Sequence, residues 1–369
     1  MISFINSLLN FIKYLRLSGK ENYIVFFSES RFYIDHFEDL VLLIKDKNKT
    51  LYITSDKNEF EHFKKITNTL LLNNKIVLEI LFAFIKCKCV IMTVTDLGNH
   101  LKKSNNCENY IYFFHALSSV TTRYTKEAFK NYDIVFTNGE YQKKELINIE
   151  ENYNFPKKKI LNTGYFFLDN LLSKINLEKK INRNIFFAPS WNYNKNLFDN
   201  YSLEIIELLL KNNFIVTLRP HPEHYKRSIK TIKTIKKKFQ TTNNFIFDEN
   251  LSNLDSMEKS SLLITDNSAI DMEYMLTFKR PIIQIKYMDK IHNDLKINKN
   301  LETIEDNFKK QFTNIIKIEE IESLPNLVNK LINNNLILND KVDIFKKKYI
   351  SNINKSSVIA SKFILEELS

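Results

Sequence analysis

Glycine is nearly absent: the 369 residues include four, with six prolines. Gly-rich phosphate loops are therefore excluded, and any phosphate site has to be built from helix ends and side chains. Three cysteines, Cys87, Cys89 and Cys107, form an odd set without metal-ligand spacing. That argues against a disulfide scaffold or a zinc site and, with no cleavable signal peptide in the sequence, leads us to expect a reducing, cytoplasmic setting. No apolar run reaches the ~20 residues needed to span a bilayer. There is no solenoid repeat, and no low-complexity block beyond a Lys/Asn bias.

What is present describes a globular chain: 44% hydrophobic and 13% aromatic residues, enough for two domains or one large one. Fifty-four Lys and Arg against 43 Asp and Glu give a net charge of +11. This favours an anionic partner, whether membrane surface, polyanionic substrate or nucleic acid, although much of the lysine reads as solvated surface. Residues 1–20 contain an amphipathic stretch with Phe4, Leu8, Phe11 and Leu15 on one face and Lys13 and Arg16 nearby. Such a helix suits peripheral membrane contact or packing on the protein's own core.

From residue 22 short apolar runs alternate with amphipathic stretches. Strands are expected near 23–28, 51–54, 89–94, 110–114, 133–137 and 159–162, with helices near 36–45, 58–72, 76–86, 122–130 and 139–149. After a polar, basic linker at 173–184 a second series begins. Its strands lie near 184–188, 214–218, 245–247, 261–265 and 281–285, with helices near 201–211, 224–238, 252–259 and 268–277. Continuous apolar strands alternating with helices predict an α/β chain of parallel sheets covered on both faces. The pattern resembles the GT-B architecture: two doubly wound Rossmann-like domains, 1–172 and 184–340, facing a cleft, and a helical C-terminal tail, 341–369. The active site is then expected in the cleft, at the carboxyl ends of the strands.

Polar residues immediately after strands are the candidates. His115 follows one strand and is itself followed by Ser118 and Ser119. A histidine there can take a proton from a hydroxyl, or can simply sit in a loop with a local hydrogen bond. Arg219, His221 and His224 follow another strand, in a turn held by two prolines. A displayed guanidinium and imidazole suit a phosphate, and two histidines without a third ligand make a poor metal site. Ser190 and Trp191 end a third strand, whereas Asp133 and Gly139 read as structural. Finally, SSLLITDNSAIDMEYM, 260–275, passes from an apolar strand through Asp266, Asn267 and Ser268 into a helix beginning at Ala269. Its free N–H groups and dipole can hold an anion, while Ser268 and Asp271 also fit a ligand-free capping box.

In order and spacing, FFHALSS (113–119), YDIVFTNGEYQKKEL (132–146), ILNTGYFFLD (160–169), IFFAPSWN (185–192), LRPHPEH (218–224) and ITDNSAIDMEY (264–274) resemble the CDP-glycerol glycerophosphotransferase family, the teichoic-acid and capsule polymerases. The resemblance covers residues 105–290 and implies transfer of glycerol phosphate, or a similar polyol phosphate, from CDP-glycerol to a hydroxyl. The setting it implies is the inner face of the cell membrane, with an anionic polymer or lipid-linked acceptor. By position, His115 matches the family's general base and His221 the histidine on the donor phosphates, with Arg219 in the same motif. Asp266, Asn267, Ser268 and Ala269 match its phosphate-binding helix, Glu273 falls where a ribose or glycerol contact would come, and Ser190 joins the donor side. Ser118 and Ser119 fall on the acceptor side. Two departures bear on the donor: Ala116 stands where the family has glycine, and Ala269 where it has a second hydroxyl. Metal dependence is left open. The nearest alternative is a GT-B glycosyltransferase using a UDP- or CMP-sugar. A nucleic-acid binder is disfavoured, because the lysines are diffuse and no such motif occurs.

Overall fold

The computed structural model describes residues 2–18, 23–45, 49–99, 101–192, 195–250, 252–266, 268–288, 303–333 and 339–368. They form two compact units. Unit 1 runs to Asn170 and resumes at Tyr349; unit 2 takes the described residues from Leu171 to Lys348.

Unit 1 is built on seven strands: β1 Ile24–Ser28, β2 Thr50–Thr54, β3 Asn68–Leu71, β4 Cys87–Met92, β5 Cys107–Phe113, β6 Ile134–Thr137 and β7 Lys159–Asn162. Their order is β3-β2-β1-β4-β5-β6-β7, with every pairing parallel. β1 and β2 are buried at every position, as expected of strands covered by helices on both faces. One apolar layer joins Val25, Phe27, Val90 and Tyr112 to Leu81 and Phe82 of the helix Lys75–Phe84. The layer on the other face joins Phe26, Ile91 and Phe113 to Phe37, Leu40 and Ile44 of the helix Ile34–Ile44.

Unit 2 repeats the plan with β8 Asn184–Phe187, β9 Ile215–Leu218, β10 Phe245–Phe247, β11 Leu262–Thr265, β12 Ile282–Lys286 and β13 Thr313–Lys317. The order is β10-β9-β8-β11-β12-β13, again parallel throughout. Each sheet therefore reverses its winding once, between β1 and β4 and between β8 and β11. In open parallel sheets ligands bind outside the strand carboxyl ends at such a reversal.

Two local expectations need correction, and one strand was not foreseen. The helix expected over 58–72 ends at Phe63, and Asn68–Leu71 pairs with β2 as β3. The β-branched Ile66, Thr67 and Thr69 favour that edge strand over a helical turn. The helix expected over 122–130 is the single turn Val120–Arg123. β13, whose sequence TNIIK is mostly polar, carried no continuous apolar run to reveal it.

Residues 341–369, expected as one tail, divide between the units. The helix Asn339–Tyr349 lies almost wholly in unit 2. The helix Ser356–Glu367 packs Ala360, Phe363 and Ile364 into the core of unit 1. The chain returns to unit 1 through two glycine contacts. A Cβ on Gly139 would lie 2.0 Å from the Tyr349 carbonyl oxygen. At Gly164, where φ is +104°, it would lie 2.4 Å from the Ser351 oxygen. Asp169 completes this docking by accepting from the amides of Asn354 and Ser356 at 2.7 and 2.8 Å. The polar segment 173–184 is tied to unit 2: Lys179 pairs with the buried Glu258 at 2.7 Å, and the Ile181 amide donates to the Lys259 carbonyl at 2.8 Å.

Candidate active site

His115 follows Phe114 just beyond the end of β5 and lines a cavity of about 760 Å³ in unit 1. The cavity opens at the carboxyl ends of β1 to β5, where the winding reverses. Tyr33, Lys75, Arg123 and Tyr124 also line it, along with Glu29 and Glu79. The Tyr33 ring meets the His115 ring edge-on, with centroids 5.2 Å apart. A titratable imidazole, two cationic and two carboxylate side chains and aromatic walls thus converge on one space.

The loop bearing His115 is fixed residue by residue. The His115 carbonyl oxygen accepts from His36 Nε2 at 3.0 Å and from the Tyr165 hydroxyl at 3.2 Å. The next carbonyl, Ala116, accepts from Asn138 Nδ2 at 2.9 Å, and that of Ser118 from Gln142 Nε2 at 2.9 Å. The Glu145 carboxylate receives the amides of Val120 and Thr121. Asn138, Gln142 and Glu145 all come from the segment 132–146, so its work in this fold is to hold the histidine loop. Ser118 and Ser119 are buried beneath that loop and are not among the cavity-lining residues.

His36 and Glu59 are titratable groups that the sequence alone did not single out. Burial pushes the His36 imidazole down to about 4. Burial pushes the Glu59 carboxyl up to about 7, against the opposing pull of hydrogen bonds from Thr54, Tyr52 and Ser28. Asp133, read as structural, accepts from Lys103 Nζ at 2.7 Å and from the Tyr110 amide at 2.8 Å.

In unit 2 the expected donor residues gather at the carboxyl ends of β8, β9 and β11. The Ser190 amide donates to Asp266 Oδ1 at 2.6 Å, and the Arg219 amide to the Phe187 carbonyl at 3.0 Å. The Arg219 guanidinium forms a part-buried ion pair with Asp248 at 2.7 Å. His221 is exposed, and its Nδ1 accepts the Glu223 amide at 3.2 Å, so in the neutral ring the proton sits on Nε2. His224 is buried, stacked on Phe198 at 4.3 Å, with Trp191 edge-on at 5.5 Å.

The helix after β11, Ile270–Phe278, has Ala269 as its N-cap, with no side-chain cap. The capping box open to Ser268 and Asp271 is not formed; Asp271 Oδ1 accepts instead from the Met272 amide at 2.6 Å. Ser268 is partly exposed, Glu273 is buried, and Asn267 lies outside the described residues. Among the described residues no group of three or more His, Cys, Asp or Glu side chains is arranged to hold a metal ion. The three cysteines are free and buried.

Two doubly wound parallel sheets of this order define a GT-B-like protein. The chain matches the family model CDP-glycerol:poly(glycerophosphate) glycerophosphotransferase over residues 8–357 and belongs to that family, so it is a transferase. Solved structures agree on the fold. The wall teichoic acid polymerase TagF matches with a TM-score of 0.63 at 16% identity, over 100% of this chain and 98% of that one. A variant of the same polymerase soaked with CDPG matches at 0.62 and 14%, with the same coverage. The UDP-GlcNAc 2-epimerase of Methanocaldococcus jannaschii matches at 0.58 and 14%, over 93% of this chain and 99% of its own. No curated protein sequence matches the chain.

Within unit 1 the structure brings His115 together with residues that the strand-end rule passed over: Tyr33, His36, Arg123 and Tyr124. Tyr33 and His36 sit at i and i+3 just after β1. Arg123 and Tyr124 follow FFHALSS within a few residues, so helical spacing and proximity were the available signals.

Proposed function

We propose that the enzyme moves glycerol phosphate, or a similar polyol phosphate, from CDP-glycerol to a hydroxyl of a polymer or lipid-linked acceptor. The observation that carries this reading is the His115 cavity, where an imidazole shares one space with Arg123 and Lys75. Unit 1 handles the acceptor in this reading and unit 2 the donor. The acceptor O–H gives its proton to His115 as its oxygen bonds to the glycerol-bearing phosphorus. The bond from that phosphorus to the CMP oxygen breaks, and CMP leaves with the electron pair. Arg123 and Lys75 take the anionic acceptor, a role the sequence assigned to Ser118 and Ser119, whose burial suits them to support the loop.

On the donor side, the positive end of the helix Ile270–Phe278, the Ser268 hydroxyl and the Nε2 of His221 receive the diphosphate. Ser190 and Asp266 hold the loops that present them, because a buried carboxylate would repel a phosphate it faced. Arg219, paired with Asp248, contributes through its backbone position beside His221. Glu273, buried on the first turn, packs that helix start.

Membrane contact at the inner face of the cell membrane belongs to the same reading. Among the described residues no helix is long and apolar enough to cross a membrane. The helix Ile2–Ser18 packs inward through Ser7 and Tyr14, while Phe4, Leu8, Leu9 and Leu15 stay exposed. Of the expected apolar face only Phe11 turns toward the core. Beside it, the helix Lys75–Phe84 exposes Ile76, Ile80 and Phe84 while its Lys75, Leu78 and Glu79 line the cavity. One helix thus offers an apolar outer side and a cavity wall, which suits an acceptor anchored in lipid.

The test is a donor panel with a lipid-linked or oligomeric acceptor pool, followed by mass spectrometry. CMP release from CDP-glycerol with a product heavier by glycerol phosphate supports the reading. Turnover only with a UDP- or CMP-sugar replaces it with a glycosyltransferase.

A further inference from the structure

His36 lies 79 residues from His115 in sequence, yet its ring reaches the His115 backbone. A carbonyl oxygen only accepts, so the 3.0 Å contact fixes the proton on His36 Nε2. The Tyr165 hydroxyl donates to the same oxygen, so two side chains hold one carbonyl. The His36 ring is itself locked. It stacks on Phe167 with centroids 4.7 Å apart and planes within 7°, and Tyr33 meets it edge-on at 5.8 Å. Tyr33 then continues to the His115 ring.

We propose that His36 is a positioning residue for the transfer reaction: with Tyr165 it fixes the His115 carbonyl, and so aims the His115 imidazole into the cavity. It rests on the reading of His115 as the proton acceptor. His36 is not itself a base toward substrate, because it does not line the cavity and its burial keeps it neutral at working pH. Its chemistry is that of a rigid N–H donor whose charge state does not change while His115 gains and loses a proton. A misdirected base costs turnover and leaves donor binding alone.

The experiment uses the full chain with CDP-glycerol and an acceptor pool, measuring kcat and KM for His36→Phe, His36→Gln, Tyr165→Phe and His115→Asn, each checked by thermal unfolding. Phe keeps the stacked shape but removes the donor, whereas Gln places an amide nitrogen about where His Nε2 lies. His36→Phe is expected to lower kcat at least tenfold with donor KM within twofold, and His36→Gln to recover most of the loss. Tyr165→Phe, which removes the second donor on the same oxygen, is expected to lower kcat several-fold. That variant decides the matter if His36→Phe does not fold. Combined with His115→Asn, His36→Phe should cost nothing further, because the positioned group is gone; a purely structural residue would still add its own loss. Full activity of His36→Phe alongside an inactive His115→Asn would overturn the positioning role while leaving the base intact. An active His115→Asn would remove both.

Discussion

The Ser190 amide and the Asp266 carboxylate meet at 2.6 Å, so the loops leaving β8 and β11 form one unit at the winding reversal of the second sheet. Asp266 is buried, and its Oδ1 satisfies an amide that is buried with it. Asp266→Ala should therefore destabilise the protein by about 1–3 kcal/mol, the cost of an unsatisfied buried donor. Asp266→Asn retains an acceptor and should cost about half as much or less. Thermal unfolding of both variants checks the order. On the proposed placement of the donor beside these loops, the KM for CDP-glycerol should rise with the same ranking, because the loop loosens with the bond.

The sheets were legible because their strands are apolar on both faces: YIVFFS and SLLIT announce themselves. β3 and β13 did not, since edge strands are partly polar and Asn68–Leu71 follows a helical pattern without a break. His115 was legible for the same reason as its strand, as the first polar residue after an apolar run. Its supports were not. Gln142 reads as one more polar residue on a helix of low apolar content, and only the fold shows it buried against the Ser118 carbonyl. His36 and Tyr165 come from opposite ends of unit 1, and a single sequence carries no sign that they share an oxygen. Arg219 reads in the sequence as a phosphate clamp, and no motif announces that its guanidinium also pairs with Asp248.

His115→Asn should lower kcat by about 10²–10⁴-fold, the usual contribution of a general base, with little change in the KM for the donor. Steady-state CMP release measures both constants.

Gly164 combines a left-handed backbone with a neighbour that cannot yield. Gly164→Ala adds a Cβ 2.4 Å from a backbone oxygen and imposes strain at φ +104°. The expected loss is at least about 2 kcal/mol, read by denaturant unfolding. Ser356→Ala, which deletes one hydroxyl donor to Asp169 and leaves the backbone donors in place, should cost about 1 kcal/mol or less.

Two buried groups tilt stability with pH in opposite directions. Glu59 has its folded pKa raised from 4.5 to about 7, so the folded state holds its proton longer, and stability falls as pH rises through that window. His36 has its folded pKa lowered from 6.5 to about 4, so stability falls as pH drops through that window. Between about pH 4.5 and 6.5 the two slopes oppose each other. Glu59→Gln should leave stability rising with pH there, and His36→Gln should leave it falling, each by an amount on the order of 3 kcal/mol. Urea unfolding at half-unit pH steps separates them.

The exposed apolar residues of the helices Ile2–Ser18 and Lys75–Phe84 make the membrane reading testable apart from catalysis. Leu9 and Phe84 are 59% and 67% exposed, so they contribute little to the fold, and Leu9→Ser with Phe84→Ser should leave the melting temperature unchanged. Burying two such side chains in a bilayer interface is worth up to about 3–6 kcal/mol, and partial insertion gives less, so binding to anionic lipid vesicles should fall at least tenfold. Raising the salt should weaken binding further through Lys13 and Arg16. Turnover of a water-soluble acceptor should survive in the double variant, and turnover of a lipid-anchored acceptor should drop with the binding. Equal loss on both acceptors would place these side chains in the fold or the cavity wall instead of at a lipid surface. Vesicle sedimentation and paired acceptor assays on one protein preparation decide between them.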